Sequence, residues 1–295
     1  MRFYSHGKIL LSGEYTVLHG AQALALPTQK GQDLIVHASE KKTLEWISRN
    51  ADGTPWFEAS FELETLTIRS ANHLPTAVRL EQMLQQIRKL QPLFCQTGTL
   101  VTTNLEFNRE WGLGSSATLV ANLGKWSGVD PFLLLDKTLG GSGYDIACAQ
   151  ASGPIFFQRI AGTPKYQNVS FDPPFREKLF FVYLNKKQDS QREVADYMKI
   201  TPQHELLEKI STLSQQLSLC VQLDTFMSLL KEHEALMATH LKKPTVQEDQ
   251  FQDFPGVIKS LGAWGGDFVL ACGDDPRYFK DKGFPIVIAY DEFIL

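Results

Sequence analysis

The sequence predicts an α+β fold in two domains, and three observations carry that expectation. Residues 8–68 alternate short β-rich runs with turn residues. Residues 190–241 follow helical spacing and are succeeded by two short strand patterns. A loop rich in Pro, Gly and polar residues, 161–174, separates these two regions. The length of 295 residues is about twice the usual domain prior of roughly 150, and 43% apolar content is ample for a packed core.

In chain order, the β-rich runs are 9–11, 15–18, 34–38, 44–48, 56–61 and 66–68, punctuated by Gly13, Gly20, Gly31 and Asp52-Gly53. Turns this frequent between short runs indicate a mostly antiparallel sheet. Pro75 opens a helix whose apolar residues Val78, Leu80, Met83, Leu84, Ile87 and Leu90 keep helical spacing as far as Pro92. A strand is expected at 97–107, three short helices between Gly112 and Gly153, and a strand at 155–160. Beyond the polar loop comes a strand at 179–184, which puts the domain boundary between residues 1–165 and 166–295. A helix is expected near 254–261 and short strands at 268–272 and 285–289, making the second domain a smaller α+β unit.

The charges exclude a nucleic-acid footprint: 29 Lys and Arg oppose 33 Asp and Glu, and lysine pairs such as Lys41-Lys42 are scattered. Cys95, Cys148, Cys220 and Cys272 are far apart and form no CxxC pair, so they read as reduced and mostly buried. No apolar run approaches the roughly 18 residues that span a bilayer, and no charged-then-apolar leader opens the chain. The expectation is a soluble, cytoplasmic protein, monomer or homodimer, with a small-molecule substrate.

The segment that carries chemistry runs from Asn108 through Gly112-Leu113-Gly114-Ser115-Ser116-Ala117 into an apolar helix. Glycines at a helix N-terminus let backbone N–H groups approach an anion, the helix dipole adds partial positive charge, and Ser115 can cap the helix. The Ser116 hydroxyl can reach a phosphate oxygen or Mg²⁺. An ordinary glycine turn capped by serine fits the same segment equally well. There is no Gly-x-x-x-x-Gly-Lys-Ser/Thr string and no Gly-x-Gly-x-x-Gly, which excludes a Walker loop and a Rossmann loop.

Four segments in order resemble the GHMP kinase superfamily. Gly7-Lys-Ile-Leu-Leu-Ser-Gly-Glu-Tyr-Thr-Val-Leu-His-Gly20 is similar to its first motif and Gly112 to Ala117 to its phosphate loop. Gly141-Ser-Gly-Tyr-Asp-Ile-Ala147 is similar to its aspartate-bearing stretch, and Gly262-Ala-Trp-Gly-Gly-Asp267 to its C-terminal glycine-rich loop, the family's third motif. Within the superfamily the motifs look closest to phosphomevalonate kinase, then mevalonate kinase, and the Gly-Tyr-Asp-Ile-Ala string resembles a group of GHMP kinases named for it.

The resemblance implies a two-domain GHMP kinase fold, with an N-terminal domain like domain 2 of ribosomal protein S5, a ferredoxin-like C-terminal domain, and ATP and Mg²⁺ as cofactors. It implies catalytic roles for Lys8 and Asp145, nucleotide contacts from Gly112, Leu113, Gly114, Ser115, Ser116 and Ala117, and a substrate or phosphate loop at Gly265 and Gly266. Ser190 is a further substrate candidate, and Ser116 and Asp136 are candidate Mg²⁺ ligands. The residues alone allow blander readings: Lys8 as a solvated strand lysine, Asp145 as a carboxylate at a helix N-terminus, Asp136 as a surface charge, Glu14 as a turn-tying residue. Trp264 departs from the small residues usual in the third motif and is expected to fill part of a pocket. The implied activity is phosphoryl transfer from ATP to mevalonate or phosphomevalonate; a diphosphomevalonate decarboxylase and a nucleotide-binding protein without turnover are the alternatives.

Overall fold

The computed structural model describes residues 1–188 and 190–295, and of Ser190 and Gln191 the backbone alone. The elements run β1 (Arg2–Ser12), β2 (Ala23–Ala38), β3 (Thr43–Arg49), β4 (Pro55–Glu62), β5 (Ile68–Ala71), α1 (Leu74–Leu90), β6 (Thr99–Leu105), α2 (Ser115–Ser127), α3 (Pro131–Thr138), α4 (Tyr144–Gln150), β7 (Ile155–Ile160) and β8 (Thr163–Asn168). They continue with β9 (Leu179–Tyr183), α5 (Ser190–Tyr197), α6 (His204–Leu219), α7 (Leu223–Leu241), α8 (Val246–Gln250), β10 (Val257–Ser260), β11 (Phe268–Cys272), α9 (Arg277–Asp281), β12 (Val287–Ala289) and α10 (Tyr290–Phe293). Two compact units result. The first takes Met1–Gly7, Lys30–Arg109 and Leu113–Gln150; the second takes Lys8–Gln29, Glu110–Gly112 and Ala151–Leu295.

In the first unit the strands order β5-β4-β3-β6-β2, antiparallel except for the parallel β3–β6 pair. Leu44 and Trp46 of β3 alternate inward with Phe57 and Phe61 of β4, the period-2 pattern of a half-buried sheet. Against this face lies α1, whose buried residues Ala77, Leu80, Leu84 and Ile87 recur at helical spacing. The helix starts where expected: His73 accepts the Thr76 N–H through its ring nitrogen, and Pro75 occupies the first turn, where a missing N–H costs nothing. A buried polar net seats α2 on β2. Thr118 Oγ1 donates to Gln32 Oε1 at 2.6 Å, Asn122 Nδ2 to the Gln32 carbonyl at 2.9 Å, and Ser5 Oγ to Asn122 Oδ1 at 2.8 Å.

The second unit holds an antiparallel sheet ordered β10-β11-β9-β12, with Val182, Ile258, Val269, Phe251, Phe254 and Phe279 in its core. The start of β2 pairs with β7, and β7 with β8. A second cluster gathers Tyr15, Tyr197, Ile210, Leu213, Met237 and Trp264. No described helix is long and apolar enough to cross a membrane. Cys148 and Cys272 are buried, Cys95 and Cys220 half-buried, and among the described residues none of the four forms a disulfide.

Four expectations fail, each for a physical reason; the strand expected at 66–68 begins only at Ile68, because Leu66 has a positive φ of 55° that ends extended backbone there. The strand at 15–18 is a 3-10 turn, Thr16–His19, because Gly13 and Tyr15 both adopt left-handed backbone that ends the extended run. The loop at 161–174 contains β8, an almost wholly exposed edge strand without an apolar face, reached through a two-residue turn in which Ala161 and Gly162 both have positive φ. The helix at 254–261 is β10, whose four residues are all buried, so it lacks the alternation that marks a half-buried strand.

Close backbone approach makes Gly31 a test of this packing: a Cβ there would lie 2.2 Å from the Ser5 carbonyl oxygen. Gly31→Ala is expected to cost about 1–3 kcal/mol through overpacking, read as a lower urea midpoint. An unchanged midpoint would mean that β1 yields freely.

Candidate active site

The glycine loop divides between the two units after Gly112. In the first unit, Gly114 (φ 85°) is the N-cap of α2, so Ser115 is the first helical residue rather than the cap expected from sequence. Gly114 offers no side-chain cap, and the first-turn N–H groups of α2 face the loop at the positive end of a helix of 13 residues. Leu113 and Ala117 are buried and anchor the loop, Ser115 is half-buried, and Ser116 is exposed. Asp145 is half-buried in the first turn of α4, and its Oδ1 accepts the Ile146 N–H at 3.0 Å. Asp136 is exposed on α3. Among the described residues no group of three His, Cys, Asp or Glu could hold a metal ion by protein ligands alone.

In the second unit, Lys8 Nζ donates to the Gly112 carbonyl at 2.8 Å, which brings two residues of separate motifs together. The third motif meets the same glycine. A Cβ on Gly112 would lie 2.3 Å from Asp267 Oδ2, so only glycine permits this approach. Asp267 is itself left-handed (φ 51°), accepts the Gln188 N–H at 3.1 Å, and exchanges backbone hydrogen bonds with Lys186 and Leu184. Burial pushes its carboxyl up, while the Gln188 amide and the nearby Lys8 and Lys187 ammonium groups oppose that shift. Lys187 pairs with Glu110 at 3.2 Å. Gly265 (φ 78°) and Gly266 pack against the Gln188 side chain. The Ser190 side chain lies outside the described residues; the residue opens α5.

Trp264 is a packing residue. Its ring is buried with Tyr15, Tyr197, Leu213 and Met237, its indole N–H donates to the Pro244 carbonyl at 2.9 Å, and its backbone N–H donates to the Tyr15 hydroxyl at 2.8 Å. Tyr15 stacks on Tyr197 at 4.9 Å between centroids and reaches Glu193 through its hydroxyl. A non-glycine residue held at φ 58°, ψ −46° costs about 1–3 kcal/mol, against which this set of contacts acts.

Sequence reasoning missed Lys259 altogether. It is 0% exposed, and its ammonium donates to Glu14 Oε1 at 2.5 Å and to the Ser260 carbonyl at 2.8 Å. Glu14, Glu234 and His233 are buried beside it. Glu234 Oε1 lies 3.8 Å from Lys259 Nζ, and Oε2 accepts from Ser260 Oγ at 3.1 Å. His233 Nε2 stands 3.2 Å from Glu14 Oε2 and 3.4 Å from the Gly13 nitrogen. Two acceptors do not sit together without a proton, so Nε2–H donating to the carboxylate is the tautomer we assign, with the Gly13 contact marginal. Burial pushes the Glu14 carboxyl up, but Lys259 and His233 outweigh it and hold it below the ordinary carboxylate range. Burial and the Lys259 charge push His233 down, against the pull of Glu14. Burial pushes Glu234 up to about 7, against the attraction of Lys259. Burial and the neighbouring charges thus pull the two carboxyls in opposite directions, Glu14 down and Glu234 up.

Glu234 binds its proton more tightly folded than unfolded, so its contribution to stability is full below its ordinary value of 4.5 and is lost as pH rises through about 7. The loss is on the order of 3 kcal/mol. Denaturant midpoints across pH 5–9 are expected to fall with pH in the wild type and to flatten in Glu234→Gln; parallel profiles would remove Glu234 as the titrating group.

No family model matches the sequence, and no curated protein matches it. Solved structures do. The chain is similar to Streptococcus pneumoniae phosphomevalonate kinase in complex with phosphomevalonate and AMPPNP, at 18% identity over 98% of this chain and 99% of that one, with a TM-score of 0.69. It is also similar to the L. major mevalonate kinase in complex with R-mevalonate (16% identity, 96% and 89% covered, TM-score 0.66) and to Lactococcus lactis galactokinase complexed with galactose (17% identity, 95% and 88% covered, TM-score 0.63). These neighbours are members of the GHMP kinase superfamily, and likeness across nearly the whole chain establishes that this protein has the two-domain α+β fold of the GHMP kinases.

Proposed function

We propose that the protein is an ATP-dependent kinase that transfers the γ-phosphoryl group to a hydroxyl or phosphate of a small metabolite, with mevalonate and phosphomevalonate the leading acceptors. The observation that carries the reading is the 2.8 Å hydrogen bond from Lys8 to the Gly112 carbonyl, which sets an ammonium at the first glycine of the loop. On this reading residues 1–165 form the ATP-binding domain and 166–295 the C-terminal domain of a cytoplasmic monomer or homodimer.

The chemistry of the loop suits a triphosphate. Left-handed Gly112 and Gly114 leave no side chain over the first-turn amides of α2, where anionic oxygens are stabilised by N–H groups and the helix dipole. Mg²⁺ demands little from the protein, because it retains waters and takes substrate phosphates with one or two side chains. The exposed Ser116 hydroxyl and the exposed Asp136 carboxylate are the candidate protein ligands. When bound, the ion neutralises charge on the phosphates. Lys8 neutralises charge on the transferring group, and Asp145 orients the acceptor hydroxyl and takes its proton late, since phosphoryl transfer runs through a loose transition state. Gly265 and Gly266 supply backbone without side chains in the third motif, and Ser190 and the exposed Lys186 and Lys187 are the candidates for an anionic acceptor.

Incubation with Mg-ATP and a panel of mevalonate, phosphomevalonate, homoserine and sugars tests the reading: ADP should form with one acceptor and without CO₂. Release of CO₂ would mark a decarboxylase, and nucleotide binding without ADP formation would mark a binding protein. With the acceptor in hand, Asp145→Asn is expected to lower kcat by about 10²–10⁴ while nucleotide Kd changes little. Near wild-type turnover in a folded Asp145→Asn protein would reduce Asp145 to a helix-end carboxylate.

A further inference from the structure

We propose that Lys259 is a positioning residue for phosphoryl transfer: through Glu14 it ties the loop that follows the Lys8 strand to the strand that enters the C-terminal glycine-rich loop. The inference rests on the kinase reading for its catalytic consequence, and on geometry alone for the tie.

Lys8 lies on β1, and β1 ends at Ser12, immediately before Gly13-Glu14-Tyr15. Local preference does not explain this tripeptide. Gly13 (φ 93°) and Tyr15 (φ 58°) both bracket Glu14 with left-handed backbone, and a Cβ on Gly13 would lie 2.7 Å from the Ala23 Cβ. Such a conformation persists only where its surroundings determine it. Lys259, Glu14 and His233 provide that determination at one point, and the Tyr15 hydroxyl accepting the Trp264 N–H provides it at a second. Lys259 and Trp264 flank the start of the third motif, and Asp267 is its last residue. Two ties therefore join the first motif to the third.

The consequence falls on Gly112. Lys8 bonds its carbonyl, and the Asp267 carboxylate lies against its α-carbon. These two contacts come from the two segments that Lys259 and Glu14 join. If the tie is cut, Lys8 and Asp267 no longer hold a common register on Gly112. Ground-state binding of nucleotide by backbone amides should then survive better than the alignment of the transferring group, which separates kcat from KM.

A double-mutant cycle on the full chain distinguishes positioning from simple charge compensation. Lys259→Met and Glu14→Gln each leave a charge buried without its partner, so either single variant is expected to be less stable. The double variant Lys259→Met/Glu14→Gln removes both charges and is expected to regain the urea midpoint but not the tie. Hydrogen exchange of the ligand-free protein should then remain at least tenfold faster than wild type in residues 13–20 and 262–267. With Mg-ATP and the acceptor found above, kcat should stay at least tenfold down while KM for ATP shifts less than threefold. Recovery of wild-type exchange and turnover by the double variant would overturn the proposal, leaving Lys259 as a charge that merely offsets Glu14. Failure of the double variant to fold would overturn it too, making the pair a folding requirement. Absence of turnover in the wild type with every acceptor would sink the kinase reading, and the exchange measurement would still decide the tie.

Discussion

An ammonium group removed from water is tolerated only where fixed acceptors meet it, and in the second unit the Lys259 ammonium meets Glu14 and the Ser260 carbonyl. Much of the surrounding structure follows from that requirement. Glu14 has to enter the interior, so the chain turns sharply after β1, with Gly13 and Tyr15 in left-handed backbone. A second carboxyl on α7 shares the space with its affinity for a proton raised by burial, and the adjacent imidazole with its affinity lowered. Replacing such a cluster by apolar residues is often neutral or stabilising, so its worth is better sought in the arrangement it specifies than in net stability.

The first unit secures its half of the glycine loop differently. Gln32, Thr118, Asn122 and Ser5 form a neutral, buried hydrogen-bonded net that fixes α2 on β2. Each bond adds about 1 kcal/mol net, but leaving one partner unmet costs more, so the net specifies the seat of the helix more than it strengthens it. At its edge the Lys125 ammonium, in the last turn of α2, donates to Ser5 Oγ at 3.2 Å, away from the N-terminal amides of the helix. In the second unit Lys8 and Asp267 converge on one glycine, Gly112.

The glycine requirement at Gly112 thus has two sources that sequence cannot separate. A loop shaped for phosphate needs small residues, and the Asp267 carboxylate needs the space a Cβ would fill. Trp264 illustrates the converse. Read along the chain it looks like an obstruction in a loop of small residues, yet the fold turns it into an apolar cluster and satisfies its indole N–H with the Pro244 carbonyl.

The sequence by itself determined the fold class, because α1 and the β3–β4 hairpin bury one face each and write that face as a period of 3.6 or of 2. It also determined the glycine loop before α2 and the order of the four motifs. The strand β10 was illegible because burial on both faces erases periodicity, and β8 because an exposed edge strand has no buried face to encode. Lys259 was illegible for a related reason: lysine is almost never fully buried, and the pairing that makes it tolerable comes from Glu14, which is remote in sequence. Only the tertiary structure decided that Lys8 and Asp267 share Gly112 and that Lys259 joins the segments carrying them, since each is a contact between residues far apart along the chain, specified by packing and charge rather than by local pattern.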